Sequence, residues 1–201
     1  MTKSIQIESF GGPEVLKLKE INLPKLNPNE VLVKNKSIGL NYIDTYHRSG
    51  IYTIPLPSGI GLEAAGIVED VGKNVNLFKI GDKVTHASMP IGAYSEKQIL
   101  PQEKLIKVPN KISFEIASAL TLKGMTCEYL LHRAYSVKKS DTVLFHAAAG
   151  GVGQIFCQWA KTIGCTLIGT VGSDEKIKIA KKMMLGIISI IDRKSTRPNS
   201  S

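Results

Sequence analysis

The chain has 201 residues, 43% of them hydrophobic, and a formal net charge of +9. Such a chain buries a sizeable core, enough for one large domain or two small ones. No apolar run approaches the ~20 residues of a bilayer span, and the start, MTKSIQIESF, lacks the apolar centre of a signal peptide, so a cytoplasmic location and no membrane partner are expected. The lysines are scattered, and the densest group, in SDEKIKIAKKM, suits a solvated helix face; a nucleic-acid partner is not expected, although the positive balance favours an anionic ligand such as a nucleotide. Cys127, Cys157 and Cys165 form neither a CxxC pair nor an even framework, which reads as buried, inert thiols in a reducing compartment.

In chain order, residues 5–108 carry short β-type runs, EVLVKNKSIGL, AAGIVEDVG and DKVTHAS, with Gly, Pro, Asn and Asp between them. That spacing predicts a compact, mostly antiparallel β domain. From about Ser113 apolar residues recur every three or four positions, through SFEIASALTLKGMTCEYLLHRAYSV, which predicts helix. Strand and helix then alternate in DTVLFHA, GVGQIFCQWAKTIG, CTLIGTV and SDEKIKIAKKM, the mark of βαβ units with a parallel sheet. The fold class is therefore α/β with a β-rich domain. The first domain is expected over residues 1–120 and a partial nucleotide-binding domain over 121–192.

The stretch LFHAAAGGVGQIFCQWAK places Ala147, Ala148, Ala149, Gly150, Gly151, Val152 and Gly153 between a strand and a helix. Small residues let the backbone approach a pyrophosphate, and the helix start offers unpaired N–H groups and a positive dipole end. Gly153 would permit close helix-to-strand packing. Strand before, helix after and a second strand at CTLIGTV make this a dinucleotide signature. A carboxylate at the end of the second strand would read a ribose 2′-hydroxyl; here the strand ends in Gly172-Ser173, with Lys176 following. A hydroxyl and an ammonium suit a 2′-phosphate, so NADPH is expected as cofactor. Asp174 and Glu175 intervene and could instead serve the first turn of the next helix, and Lys176 could be a plain surface residue.

Together GGPEVLKL, IGLNYIDTYHRSGIY, PSGIGLEAAGIVEDVG, FKIGDKV, LTLKGMT and FHAAAGGVGQIFCQWAK resemble the zeta-crystallin-like quinone oxidoreductases of the medium-chain dehydrogenase/reductase superfamily, over roughly residues 3–182. The resemblance implies a GroES-like substrate domain followed by a Rossmann domain, reduction of quinones by NADPH, and a homodimer when full length. It also implies that Asn41, Tyr46 and Tyr52 line the cleft around nicotinamide and quinone, and that Thr126 contacts the carboxamide, although that hydroxyl could equally cap a helix. Amide and phenol groups can donate to a developing oxyanion without changing charge at neutral pH. Two other readings stay open: an NADPH-dependent enone reductase, and a non-catalytic RNA-binding or structural protein.

Zinc-dependent relatives carry a ligand His and an upstream ligand Cys; here those positions hold Leu62 and Asn41, neither a normal zinc ligand, so no metal is expected. His47, His86, His132 and His146 are dispersed, and ordinary surface or core roles are expected of them. A Rossmann sheet has about six strands, whereas this text supplies two and a third at GIISII. Ile191-Asp192-Arg193 stands where the family carries an Asn-Tyr pair, and DRKSTRPNSS resembles a translated sequencing adapter, so residues 193–201 are expected to be a non-native tail. On this reading the domain is incomplete, and weak NADPH binding with little turnover is expected.

Overall fold

The computed structural model describes residues 1–183 and the backbone of residues 186–190. The Ile191-Asp192-Arg193 departure and the polar tail lie outside the described residues. The chain divides into two compact units, Met1–Leu122 and Lys123–Ser201. The division falls inside a helix, two residues beyond the break expected after residue 120.

The first unit is built from antiparallel strands. β1 (Thr2–Ile7) pairs with β2 (Lys17–Ile21) and with the short β4 (Ser58–Gly59). The second sheet has the order β7-β3-β5-β6-β8, formed by Lys97–Pro101, Glu30–Gly39, Glu63–Val71, Lys83–Ala87 and Ile106–Lys107. In β3 the alternation of the sequence becomes an alternation of faces: Val31 and Val33 are buried with Val68, Val84, Leu100 and Leu105, Leu32 between them is half-buried, and Lys34 and Lys36 beyond them are exposed. Each such side chain contributes about 1.5–3 kcal/mol on leaving water. Helix α1 (Tyr42–Ser49) follows β3 directly. Its start is fixed by the Asp44 carboxylate, which accepts from the Asn41 N–H at 3.0 Å and from the Tyr94 hydroxyl at 2.8 Å.

His86 sits in β6, fully buried, and its ring nitrogens have no hydrogen-bond partner among the described residues. Burial pushes its pKa down to about 4 from 6.5, against an opposing contribution from the Leu62 backbone. The folded state therefore binds the neutral ring, and stability present above pH 6.5 is lost as the pH falls towards 4, by about 3 kcal/mol in all. Urea denaturation at steps from pH 7.5 to 4.5 is expected to show this loss, and His86→Leu to flatten that part of the profile. An unchanged slope in the variant would assign the loss to other groups.

Helix α2 (Phe114–Glu128) runs through the boundary and ends in a π-helical turn, Tyr129–Ala134. The second unit then alternates β9 (Thr142–Phe145), α3 (Gly151–Ile163), β10 (Thr166–Val171), α4 (Asp174–Met183) and β11 (Gly186–Ile190). All strand pairs described here are parallel, in the order β11-β10-β9, with Leu144 opposite Ile168 and Ile168 opposite Ile187. That is the 3-2-1 half of a doubly wound sheet, whose ligands lie beyond the carboxyl ends of the strands. Its core joins Cys127, Leu131, Phe156, Cys157, Ala160 and Leu167, with Ile155, Trp159 and Ile163 packed against it; Phe145 and Phe156 stack at 4.2 Å. The three thiols are buried, and burial pushes those of Cys127 and Cys157 up to about 11, which keeps them protonated at neutral pH. Among the described residues no helix is long and apolar enough to cross a membrane.

Candidate functional site: a glycine turn and a tyrosine cluster

In the second unit the turn between β9 and α3 is tied down from inside. The Ala148 N–H donates to Thr170 of β10 at 3.0 Å, the Gly150 N–H to the Ala147 carbonyl at 2.8 Å, and the Gln154 side-chain amide to the Ala149 carbonyl at 3.0 Å. The Cys157 thiol lies 3.8 Å from the Ala148 carbonyl. The carbonyls are thus engaged inward, while the N–H groups of Gly151, Val152 and Gly153 are those a helix start leaves without an intrahelical partner. Gly153 is fully buried against the turn, and a Cβ there would collide with the carbonyl oxygens of Ala147 and Ala148. Ala147 holds φ +57°, the left-handed region that a residue with a Cβ enters at a cost of about 1–2 kcal/mol.

Beside the turn, at the carboxyl ends of β9 and β10, lies a cleft of about 360 Å³. Of the expected cofactor residues, Ala149, Gly150, Gly172 and Lys176 line it. Among the described residues no acidic side chain does, so a phosphate entering it meets an ammonium and glycine backbone without a repelling carboxylate. A Cβ at Gly172 would meet nothing within 4 Å, so protein packing is not what requires glycine there. The site fits a dinucleotide bearing a 2′-phosphate.

Other expected cofactor residues stand around this cleft without forming its wall. Val152 turns its side chain to the core, Gly151 lies under the Lys123 stem, with Cε 3.0 Å from where its Cβ would be, and the Ser173 carbonyl accepts from the Ile177 N–H at 3.3 Å to open α4. Asp174 and Glu175 do occupy the first turn of that helix. Thr126 is placed near the carboxyl end of α2, beside buried Cys127, so the alternative of a helix N-terminal cap is corrected. Sequence reasoning missed His146 and Thr170: both line the cleft, with His146 Nδ1 2.9 Å from Thr170 Oγ1. The signal available was the position of His146, adjoining the small-residue run.

In the first unit α1 and the loop after it bring Tyr46 and Tyr52 together, ring centroids 5.4 Å apart and edge to face. Tyr42, which sequence reasoning passed over, extends the cluster at 5.3 Å from Tyr46 and is largely exposed. Asn41 immediately precedes α1 and is buried, its Nδ2 donating to Glu63 Oε2 at 2.7 Å. The other Glu63 oxygen accepts from the Leu122 N–H at 2.7 Å, and the carboxylate is wholly buried. Asn41 thus uses its amide on a core carboxylate, a partner that the sequence did not suggest. Leu62 is buried, and among the described residues no three His, Cys, Asp or Glu side chains gather as a metal site.

Residues 27–110 match the alcohol dehydrogenase GroES-like domain family. Over 183 residues the chain is 53% identical to a quinone oxidoreductase of Pseudomonas aeruginosa, covering 90% of this chain and 56% of that one. It is 43% identical over 190 residues to a 2-haloacrylate reductase of a Burkholderia species, covering 91% and 57%. The crystal structure of Escherichia coli quinone oxidoreductase complexed with NADPH superposes with a TM-score of 0.90 at 47% identity, over 97% of this chain and 60% of that one. The chain spans about half the length of the curated relatives it matches.

Proposed function

We propose that this chain, a homologue of the quinone oxidoreductases of the medium-chain dehydrogenase/reductase superfamily, belongs to a protein that reduces quinones with NADPH and without zinc. The observation that carries the reading is the cleft walled by Gly150 and Gly172, holding Lys176 and, among the described residues, no acidic side chain. NADPH, when bound, supplies the hydride. The chain's own part is to bind and orient: amides at the start of α3 receive the pyrophosphate, and Lys176 and the Ser173 hydroxyl receive the 2′-phosphate. Tyr46 and Tyr52 present phenols and ring edges to the quinone, whose reduced oxygens take protons from water or from such donors. Asn41, through Glu63, fixes the start of the helix that carries Tyr46.

The test is quinone-dependent oxidation of NADPH and NADH by the purified product of the complete reading frame, with and without a chelator. NADPH is expected to be preferred, the chelator to leave the rate unchanged, and Lys176→Glu to reduce the preference by about tenfold, or ~1.4 kcal/mol. Absence of quinone-dependent NADPH oxidation would overturn the reading. Likeness to a 2-haloacrylate reductase favours a second one, in which hydride goes to an activated alkene; 2-chloroacrylate as acceptor in the same assay distinguishes it.

A further inference from the structure

We propose that His146 is a specificity-determining residue for the phosphorylated ribose, acting with Lys176, and that Thr170 is the positioning residue that sets its ring. This rests on the NADPH reading above. His146 is the last residue before the left-handed Ala147 and follows the end of β9, so its backbone belongs to the rigid base of the turn. Its Nδ1 lies 2.9 Å from Thr170 Oγ1. Thr170 is itself buried, in the strand whose carboxyl end reads the ribose. The hydroxyl therefore fixes the ring from the protein side and leaves Nε2 as the nitrogen offered to a ligand.

Both side chains line the same cleft as Gly172 and Lys176. Among the described residues the only charged side chain in that lining is Lys176, so an imidazole N–H there meets no acidic side chain in the cleft and is available to an acidic ligand. An ammonium is a compact point charge that attracts a phosphate with little directional preference, whereas a ring fixed at one nitrogen offers a hydrogen bond at a set position. The pair supplies charge from α4 and direction from β9. A 2′-hydroxyl in place of the phosphate would use neither fully. His146 is thus assigned to discrimination between cofactors, not to general affinity for nucleotides.

The experiment measures Kd by calorimetry for 2′,5′-ADP and for 5′-AMP with the complete protein and with His146→Ala, His146→Gln and Thr170→Val. His146→Ala is expected to weaken 2′,5′-ADP about tenfold and 5′-AMP less than twofold. His146→Gln, which retains an N–H donor, should recover part of the loss, and Thr170→Val should lower selectivity in the same direction by a smaller factor. Equal effects on both nucleotides, or none, would overturn the assignment while leaving the cofactor reading intact. If the unaltered protein prefers 5′-AMP or binds neither nucleotide, the cofactor reading itself fails and the assignment with it. Urea denaturation of each variant separates a lost contact from a lost fold.

Discussion

Gly153→Ala is expected to raise the Kd for NADPH about a hundredfold, the equivalent of ~3 kcal/mol, and to lower unfolding stability by about 2–3 kcal/mol. The methyl group has nowhere to go. Its neighbours would be the carbonyl oxygens of Ala147 and Ala148, which are backbone and cannot rotate aside as a side chain would. Relief requires α3 to move away from the turn, and that movement takes the first helical N–H groups out of line with the phosphates. Gly172→Ala is the control, because open space surrounds the position and stability should change by no more than about 0.5 kcal/mol. Titration of NADPH fluorescence and urea denaturation report the two quantities separately. Wild-type affinity in Gly153→Ala would show that the turn does not hold the cofactor.

Glu63→Leu is expected to destabilise the protein by about 3–5 kcal/mol, the largest single loss in the first unit. The carboxylate is wholly buried and accepts from the Asn41 amide and the Leu122 N–H, each at 2.7 Å. Leucine fills a similar volume but accepts nothing, so the buried Asn41 amide and the half-buried Leu122 N–H lose this acceptor. Glu63→Gln keeps one oxygen for the Leu122 N–H but turns an amide towards the Asn41 amide, whose oxygen is engaged at the start of α1; about 1–2 kcal/mol should be lost. Gly39 gives an independent check, since a Cβ there would collide with the Ser118 carbonyl and with this same carboxylate. The denaturation midpoints of the two Glu63 variants decide the matter: a loss below about 1 kcal/mol for Glu63→Leu would mean that the buried charge offsets its own hydrogen bonds.

Gly153 and Glu63 also differ in how far the amino-acid sequence alone reveals them. Gly153 is legible because its constraint is local: strand, small-residue run and helix are contiguous, and their physics is that of one turn. The alternation that buries Val31 and Val33, and the spacing that packs Ile155, Trp159 and Ile163 against the core, are local in the same sense. Glu63 is not legible. In GLEAAG it reads as an ordinary polar residue, and its partners lie 22 and 59 positions away in the chain. His146 escapes notice for the same reason, as Thr170 is 24 residues distant. For Thr126 the structure excludes only the cap, because α2 begins at Phe114 and runs through that position. The pairing of Tyr46 with Tyr52 rests on where the loop after α1 returns, which no spacing in the sequence specifies.

Ala147 carries a further consequence. Most turns that need a positive φ use glycine, which reaches it without strain but leaves the unfolded and the ligand-free chain many alternatives. Alanine at φ +57° is held there by its neighbours and has few other shapes to adopt. A joint of this kind is stiff. On the proposed cofactor reading, the amides beyond it are aimed before a nucleotide arrives, so association need not first select one loop conformation from many, and the ordering cost falls on folding and not on binding. Ala147→Gly would exchange that stiffness for a more relaxed backbone, with a phosphate cradle of the same outline and looser grip.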